Sequence, residues 1–592
     1  MDQVGFFEAS MSKKSPPLKK DARAILKKRL MVIACFFFLF GAALGTRLFI
    51  LQVIDHEKLV ALSKKQYEAT KKIVYGRGTI FDRNQNELAM NVEVESVYIT
   101  PSKVKDKQHT AKVLASHLKV DHKEIYKNLT SKKHFAWVKR KCNLEEVEKL
   151  RRLDLPGVGF MAEQKRFYPK RELAANVTGF VGIDNEGFAG VEHYHNSILK
   201  GTTVHRIIEK DAKGRNIRSI SAAGKPKTKS RDVVLTIDEV IQFIAEHHLK
   251  KQVEKYQADS GMALVMEPYT GEVYAMANIP QFNPNKYQAY IREKRKNRII
   301  SNSYEPGSIF KPITAAAALD SGAVEKTSDL FFCENGKFRI GKKVIREAAN
   351  HKFGWMSLRN IIAKSSNIGS IKIAQQLGEQ NFYNYIRKFG FGKKTGIDLP
   401  GESSGQLKKP SRWSKLSLAS ISFGQEIGIT PLQMATAMSA IANGGNLMWP
   451  HITKTILKNG EVEKTFKPKI IRRVLSEKTS RQMIEILKNT VKHGTGGPAA
   501  VPGFATAGKT GTAQIYDHAS GSYSKNKYLS SFVGFVPADA PKIVVLVMIE
   551  NPRKSHWGGK VAGPVFREIS REVLRYLNEP AKGERVFFLN HV

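Results

Sequence analysis

The longest uninterrupted run of apolar residues lies near the start of the chain. Residues 30–46 contain no charged side chain, and apolar character resumes as LFILQVI after Arg47. Together these residues approach the ~20 that a helix needs to cross a bilayer, and Arg47 can extend to the headgroups. The pattern predicts a transmembrane anchor over 30–54. A cleaved signal peptide is the alternative, because residues 43–45 (Ala-Leu-Gly) form a small-x-small site.

Basic residues dominate the segment before this run. The first 29 residues contain eight lysines and arginines against three acidic residues. Because positive charge is retained on the cytoplasmic side of a membrane, the pattern predicts a cytoplasmic tail over 1–29. Everything beyond about residue 55 is then expected outside the cytoplasm.

Beyond the anchor, short strand-like and turn-like patterns alternate. RGTIFDRNQNELAM (77–90) places a short β-like run before Asn-rich turn residues, and the glycines between 179 and 201 indicate turns between short elements. Residues 222–231 (AAGKPKTKSR) are nearly free of apolar side chains. This segment predicts a linker that separates a first domain, 55–225, from a second domain, 226–592.

The second domain has clearer periodicity. VVLTIDEVIQFIAEHHL (233–249) predicts a strand followed by an amphipathic helix, and GMALVMEPYTGEVYAMA (261–277) predicts a hairpin. A helix is expected within 429–445, with Thr430 as N-cap and Gln433 as its capping-box partner. Two further strands are predicted over 528–538 and 542–550. The domain is therefore predicted to be α+β, with helices in the middle and an antiparallel sheet built from both ends.

Net charge narrows the possible partners. The formal balance is +42, which in a soluble protein suggests nucleic acid. Most of this charge lies beyond the predicted anchor, where genomic DNA does not reach, so no nucleic-acid partner is expected. Two interpretations remain: an anionic partner in the envelope, such as wall polymer or lipid headgroups, or a solvated basic surface.

Cysteine and histidine spacing gives no sign of a metal or cofactor. The three cysteines, at 35, 142 and 333, supply neither a zinc pattern nor a disulfide framework. None of the 16 histidines has H-E-x-x-H spacing. The sequence predicts no cofactor.

The stretch YEPGSIFKP (304–312) carries candidate chemistry. Ser308 follows a Pro-Gly pair, and Lys311 lies one helical turn further on the same face. A serine hydroxyl needs a base to become a nucleophile, and a lysine acts as a base only when burial or a second cation lowers its pKa. The spacing alone is weak evidence, because six other S-x-x-K matches begin at residues 10, 102, 116, 197, 522 and 524.

Two later segments contain further polar groups that could act together with Ser308 and Lys311. AKSSNIGS (363–370) contains Ser365 and Asn367, a hydroxyl and an amide two residues apart. FATAGKTGTAQI (504–515) contains Lys509 in a predicted edge strand, where a backbone N–H can stabilise a developing oxyanion.

A second Lys-Thr-Gly occurs at 394–396. It leads into a Pro/Gly/Ser-rich loop and is interpreted as a turn. Lys509 is therefore predicted to be the lysine of the Lys-Thr-Gly motif that acts with Ser308.

The ordered set S-x-x-K, S-x-N and K-T-G resembles the signature of penicillin-binding proteins and serine β-lactamases. From the anchor to about residue 578 the chain is similar to class B penicillin-binding proteins, D,D-transpeptidases without a glycosyltransferase domain. RGTIFDR with NELA, and FVGIDNEGFAGVE (180–192), resemble the pedestal blocks of that family. Residues 410–435 are more similar to its cell-division (FtsI) branch, with the elongation branch as the alternative.

The resemblance implies a fold and a set of roles. The fold is α+β: a single transmembrane helix, an elongated mixed α/β pedestal domain, and a transpeptidase domain with an antiparallel sheet flanked by helices plus an all-helical subdomain. The implied nucleophile is Ser308 and its base is Lys311, with Ser365 and Asn367 relaying the leaving-group proton. The implied oxyanion hole is the N–H groups of Ser308 and Thr512. Lys509 is implied as a further catalytic residue, which completes the hydrogen-bond network together with Thr510. The implied contacts to substrate or β-lactam are Ser366, Thr510, Gly511 and Thr512.

The resemblance also implies partners and a location. The substrates are peptidoglycan stem peptides, a D-Ala-D-Ala donor and an amino acceptor, and β-lactams react with the same serine. A polytopic glycan polymerase and other division proteins are expected partners, on a single-pass protein of the cytoplasmic membrane at the septum. Three alternatives stay open: a β-lactam sensor, although such sensors have several membrane segments; a β-lactamase; and a domain with inactive boxes.

Overall fold

The computed structural model describes residues 20–74, 76–201, 203–210, 216–219, 230–517 and 521–581. The chain divides into two compact units, one of Met1–Val74 with Thr203–Pro226 and one of Tyr75–Thr202 with Lys227–Val592. The predicted linker at 222–231 lies almost entirely outside the described residues, and so does most of the predicted basic tail.

The first unit contains the predicted anchor. Helix α1 (Lys20–Phe49) continues through a π-helical turn (Ile50–Ile54) and is followed by α2 (His56–Tyr67). Within the described residues, Ala24–Ile54 is the single helical segment long and apolar enough to cross a membrane. A three-stranded antiparallel sheet of β1 (Glu68–Val74), β6 (Thr203–Lys210) and β7 (Asn216–Ser219) completes the unit.

The N-terminal part of the second unit is mixed α and β. Its strands are β2 (Ile80–Phe81), β3 (Glu87–Ile99), β4 (Ala136–Lys139) and β5 (Val158–Phe167). Its helices are α3 (Lys107–Leu118), α4 (His122–Thr130), α5 (Leu144–Arg152), α6 (Ala175–Thr178), α7 (Gly190–Tyr194) and α8 (Asn196–Leu199).

A buried ionic cluster joins the two sequence blocks predicted for this part of the chain. Glu192, in the second block, is fully buried and accepts hydrogen bonds from Arg77 of the first block and from Arg166 on β5. A buried carboxylate is tolerated only when it is paired and hydrogen-bonded, as here. The two blocks therefore have a structural role in holding the domain together.

The C-terminal part of the second unit is built on a five-stranded antiparallel sheet. Its strand order is β10-β9-β21-β20-β19, formed by β9 (Ser260–Met266), β10 (Val273–Ile279), β19 (Ala507–Asp517), β20 (Ser522–Val536) and β21 (Ile543–Glu550). Every residue of β9 and β10 is buried, because helices cover both faces. The predicted hairpin, the two late strands and the α+β class are confirmed.

One face of this sheet packs on α9 (Glu239–Tyr256) and α20 (Gly563–Tyr576). The other face packs on a helical layer that contains α12 (Lys311–Asp320) and α17 (Pro431–Ala442). The predicted capping box of α17 is present: Thr430 Oγ1 accepts from Gln433 N–H at 3.1 Å, and Gln433 Oε1 accepts from Thr430 N–H at 2.9 Å. All residues of α17 are buried, which explains why its sequence is apolar on every side.

This part of the unit contains eight further helices among the described residues. They are α10 (Arg292–Arg295), α11 (Arg298–Ser301), α13 (Leu358–Lys364), α14 (Asn367–Leu377), α15 (Glu379–Lys388), α16 (Ser417–Ser422), α18 (Glu477–His493) and α19 (Gly558–Val561).

A second sheet combines strands that lie far apart in sequence. Strand β8 (Asp232–Leu235) pairs in parallel with β2 and antiparallel with β16 (Thr453–Lys458), which pairs with β17 (Glu461–Thr465). Three short two-stranded sheets complete the unit: β11 (Leu330–Phe332) with β14 (Trp355–Ser357), β12 (Lys337–Ile340) with β13 (Lys343–Arg346), and β15 (Asn446–Met448) with β18 (Ile470–Arg473).

Candidate active site

Ser308 lies in a short 3-10 turn (Gly307–Phe310) that leads directly into α12. Gly307 has φ +55°, a left-handed conformation that favours glycine, and its N–H donates to the carbonyl of Gly424 at 2.9 Å. The turn places Ser308 on the wall of a cavity of about 570 Å³. The Pro-Gly pair before Ser308 is therefore part of how the chain presents this side chain.

Lys311 is fully buried one turn after Ser308. Its Nζ donates to Ser365 O at 2.6 Å, to Asn367 Oδ1 at 2.8 Å and to Ser365 Oγ at 3.3 Å. Within the described residues it makes no hydrogen bond to Ser308 Oγ. In unliganded enzymes such contacts often form only in the reacting complex, and the 3-10 turn places Ser308 one turn before Lys311.

Burial changes the acid–base behaviour of Lys311. Loss of solvation lowers the pKa of its ammonium to about 7, against a smaller opposing effect of the Glu347 carboxylate. The pKa of Lys509 is also lowered, by burial first and by the positive charge of Lys311 second. A lysine with a pKa near 7 is partly neutral at physiological pH, which is the form that can accept a proton.

Ser365 joins the two lysines. It follows α13 in a left-handed conformation, with φ +62°, and the chain then turns into α14. Its Oγ lies 3.3 Å from Lys311 Nζ and 3.0 Å from Lys509 Nζ. A hydroxyl between two buried amines is well placed to pass a proton between them and the cavity.

Asn367 opens α14, and its amide is held at both ends. Its Oδ1 accepts from Lys311 Nζ, and its Nδ2 donates to the carbonyl of Arg346 at 3.1 Å. The loop after β13 therefore sets which way the amide faces.

The structure places Ser366 differently from its predicted role as a substrate contact. Its side chain is fully buried and does not line the cavity. Its Oγ donates to Glu347 and accepts from Gly369 N–H at 2.9 Å, so it caps α14. The prediction followed the S-x-N box, whose middle residue points inward.

Sequence reasoning missed Glu347. This buried carboxylate follows β13 and accepts from the N–H groups of Asn367 at 2.6 Å and Ile368 at 3.2 Å, as well as from Ser366. It thus satisfies free N–H groups at the start of α14. The local sequence REAAN has no motif spacing, so only the fold reveals the contact.

Lys509 lies on β19, the outermost strand of the five-stranded sheet, as predicted for this box. The lysine is fully buried, and its Nζ donates to Thr510 O at 3.0 Å in addition to Ser365. Thr510 and Thr512 line the cavity, and the N–H of Gly558 donates to Thr512 Oγ1 at 3.0 Å.

Gly511 does not line the cavity, although it was predicted as a substrate contact. An added Cβ at this position would lie 2.3 Å from Ser531 Oγ and 2.9 Å from the side chain of Ile309. The glycine therefore lets β19 pass close to the turn that carries Ser308.

The second Lys-Thr-Gly lies in an irregular loop away from this cavity. Thr395 donates through its N–H and its hydroxyl to Glu402 Oε1, each at 2.6 Å. The segment is a turn closed by a carboxylate.

Several other residues missed by the sequence analysis line the cavity. Tyr528, His556 and Trp557 form an aromatic group, with the Tyr528 and His556 rings stacked at 4.3 Å. His351 and Phe353 also line the cavity and stack on each other at 5.2 Å. These aromatic rings supply apolar surface to a cavity whose reactive side chains are polar.

Two family models match the chain. Residues 72–235 match the penicillin-binding protein dimerisation domain, and residues 261–571 match the penicillin-binding protein transpeptidase domain. Among curated proteins, Stage V sporulation protein D of Bacillus subtilis is 35% identical over 568 residues, covering 94% of this chain and 87% of that protein. Peptidoglycan D,D-transpeptidase FtsI of Escherichia coli is 31% identical over 579 residues, covering 96% of this chain and 95% of that protein.

Solved structures agree with these matches. Penicillin-binding protein 3 of Mycobacterium tuberculosis, complexed with aztreonam, aligns with a TM-score of 0.67 at 28% identity, over 86% of this chain and 98% of that chain. The same protein complexed with ampicillin aligns with a TM-score of 0.68 at 27% identity, over 87% and 98%. With a dimerisation domain followed by a transpeptidase domain, the chain belongs to the class B penicillin-binding proteins.

Proposed function

We propose that this protein is a peptidoglycan D,D-transpeptidase that cross-links stem peptides through an acyl-enzyme on Ser308. The observation that carries the proposal is the convergence of two buried lysines, Lys311 and Lys509, on the hydroxyl of Ser365 beside the cavity that Ser308 lines. A nucleophile, a base of lowered pKa and a proton relay are the groups that acyl transfer requires.

Acylation begins when neutral Lys311 takes the proton of Ser308 Oγ and this oxygen attacks the carbonyl between the last two D-alanines. The negative charge that develops on the carbonyl oxygen is stabilised by the N–H groups of Ser308 and Thr512. The C–N bond then breaks, and the departing D-alanine amine receives a proton through Ser365. Lys509, Thr510 and Thr512 bind the terminal carboxylate.

Deacylation uses an amino group of a second stem peptide. This amine attacks the ester carbonyl, loses a proton to the same relay, and forms the cross-linking amide. Ser308 recovers its proton and is released. A β-lactam follows the first step, because its ring amide occupies the position of the scissile bond, but its product cannot leave and the serine stays acylated.

The direct test supplies the purified full-length protein with uncross-linked peptidoglycan strands ending in D-Ala-D-Ala. We expect cross-linked peptide dimers, detected by mass spectrometry after digestion of the glycan, together with release of D-alanine. A β-lactam sensor would be acylated by penicillin but form no dimers. A β-lactamase would hydrolyse many equivalents of antibiotic. Either outcome would replace the proposal.

We further propose a septal enzyme whose anchor in the cytoplasmic membrane is residues 30–54, within the apolar helical segment Ala24–Ile54. Residues 1–29 lie in the cytoplasm, residues 55–225 form a pedestal, and residues 226–592 carry out catalysis. Its partners are a polytopic glycan polymerase and other division proteins. Support comes from the basic residues before the helix and from the relative named FtsI. Depletion is expected to give filaments that fail to divide. Rounded cells without a division defect would indicate the elongation branch instead.

Lys509→Ala is expected to reduce the rate of penicillin acylation at least about a hundredfold, because it removes a buried cation from Ser365 and from the carboxylate site. Lys394→Ala is the matched control, since it changes the same three-residue motif in a loop remote from the cavity. We expect it to acylate at close to the wild-type rate. Equal losses of acylation rate in two well-folded variants would contradict the assignment of this role to Lys509.

The rate of acylation should rise with pH around neutrality. Only neutral Lys311 accepts the serine proton, and burial lowers its pKa to about 7. Below that value the neutral fraction, and with it the rate, falls about tenfold for each pH unit. A rate profile measured with fluorescent penicillin from about pH 5 to about pH 9 checks this midpoint.

Glu347→Gln provides the second arm of the pH experiment. The Glu347 carboxylate raises the pKa of Lys311, so its removal is expected to move the midpoint to lower pH. A glutamine amide still accepts one hydrogen bond at the start of α14. An unchanged midpoint in this variant, or a wild-type rate independent of pH, would show that Lys311 is not the titrating group.

A further inference from the structure

The β12–β13 hairpin has two unlike faces. Its register pairs Lys337 with Arg346 and Arg339 with Val344, so these four side chains share one face. All four are exposed. The opposite face carries Phe338, which packs against the main core beneath the Nζ of Lys372, 4.1 Å from its ring. We call this exposed side, together with the exposed Lys342 in the turn that joins the two strands, the outer face of the hairpin.

The hairpin is strongly cationic, and four of its five basic residues lie on the outer face; the fifth, Lys343, pairs with Ile340 on the opposite face. Residues 337–346 contain five lysines and arginines and no acidic residue. Among the ion pairs of the described residues, none involves any of these five side chains. The first acidic residue that follows, Glu347, is buried and bonded to the start of α14. The charge of the hairpin is therefore free to act on a partner outside the protein.

The hairpin runs directly into the cavity wall. Glu347, Ala348 and Ala349 follow it in sequence, and all three line the cavity that contains Ser308. Lys364 and Lys560 line the same cavity. Among the described lining residues Glu347 is the only acidic one, and its carboxylate is occupied. A long anionic chain that enters the cavity thus meets positive charge at its edge.

We propose that the outer face of the β12–β13 hairpin binds the peptidoglycan strand itself, through carboxylates of stem peptides next to the one that reacts. This inference rests on the proposed function, which makes a polymer with repeated carboxylates the substrate. Charge complementarity favours this occupant, and the continuity of the hairpin with the cavity places it where neighbouring stem peptides lie. A β-lactam carries no neighbouring stem peptide, so the hairpin is expected to contribute nothing to penicillin acylation.

The proposal predicts selectivity for polymer over small substrates. An exposed ion pair changes affinity only about twofold to fivefold. Three pairs made together by one strand multiply to at least roughly tenfold, with strong sensitivity to salt. The effect should appear in KM for strands and leave kcat and the rate of penicillin acylation unchanged.

The test uses the full-length protein and a triple variant, Lys337→Gln with Arg339→Gln and Lys342→Gln. Arg346 is kept, because it directly precedes Glu347, whose carboxylate accepts from the N–H of Asn367. The matched control is Lys458→Gln with Lys467→Gln and Lys478→Gln, three exposed lysines that do not line the cavity. The probe is uncross-linked peptidoglycan strand, with cross-linking and co-sedimentation as readouts and fluorescent penicillin as reference.

We expect the hairpin variant to raise the KM for strands, and the strand concentration for half-maximal co-sedimentation, by at least roughly tenfold. Penicillin acylation should stay at the wild-type rate, and the control variant should match the wild type. Equal effects in both triple variants would show that strand binding depends on the net charge of the protein and not on the hairpin. A parallel loss of acylation would show that the hairpin only supports the structure of the active site. Each result overturns the proposal.

Two further outcomes separate the possible occupants. Binding of anionic phospholipid vesicles that depends on the hairpin, with unchanged strand binding, would assign the outer face to the membrane and reject the proposal. If the wild type binds strands through the hairpin and is acylated by penicillin yet forms no cross-links, the proposed function fails while the binding site stands.

Discussion

Ser308→Ala is expected to lose all covalent labelling by penicillin and all cross-linking activity. The reaction needs an oxygen nucleophile at the cavity wall, and alanine supplies none. The substitution is small and lies at a half-buried position, so the thermal transition should be unchanged. Gel labelling of membranes with a fluorescent penicillin, followed by mass spectrometry of the wild-type adduct, measures the result.

Ser365 is the necessary control, because Ser308 and Ser365 are the two serines among the described residues that line the cavity. Its hydroxyl contacts both buried lysines, which in principle also activates a nucleophile. We expect Ser365→Ala to slow acylation but to leave the adduct on Ser308. An adduct on Ser365, or labelling that persists in Ser308→Ala, would exchange the roles of the two serines.

Local chemistry made much of the fold predictable. The hairpin of β9 and β10, the late strands and the capped start of α17 each depend on patterns within about 20 consecutive residues. The position of β19 at the edge of its sheet also followed from a glycine-containing strand near the end of the domain. These elements are determined by alternation, turn residues and caps, which can be identified in sequence without knowledge of the partners.

Contacts between distant segments could not be predicted in the same way. The sheet that joins β2, β8 and β16 brings together residues near 80, 233 and 455, and no local signal specifies this pairing. Glu347 reaches the start of α14 from a hairpin 20 residues away, and Ser366 turns inward to meet it. The catalytic motifs can be identified in the sequence. The residues that orient them, such as Glu347, come into contact with them only through tertiary packing.

The lowered pKa of Lys311 illustrates what cannot be predicted from the sequence alone. Sequence reasoning named burial or a second cation as the possible causes of a lowered pKa, and the structure brings Lys509 to the hydroxyl of Ser365 that Lys311 also contacts. Burial, however, is what lowers the pKa of Lys311, and it is the larger of the two causes that lower the pKa of Lys509. How deeply a lysine is buried depends on the helices and strands packed around it, and the S-x-x-K spacing carries no information about that.

Lys311→Arg tests whether this residue acts as a base or only as a positive charge. The three acceptors around Lys311 Nζ, two on Ser365 and one on Asn367, remain available to a guanidinium. Arginine therefore retains the charge and hydrogen bonds, but its guanidinium stays protonated and cannot take the serine proton. We expect penicillin acylation to fall by at least about a hundredfold, within the range typical of general-base catalysis.

The guanidinium is larger than an ammonium and enters a fully buried site, so a loss of activity could also come from crowding. Lys311→Met separates these causes, because methionine fits the same space and removes both charge and base. If the base matters most, both variants acylate with similarly low rates while their thermal transitions stay near that of the wild type. If charge matters most, arginine preserves the rate and methionine does not. A rate for Lys311→Arg close to wild type would require a different group to accept the proton of Ser308.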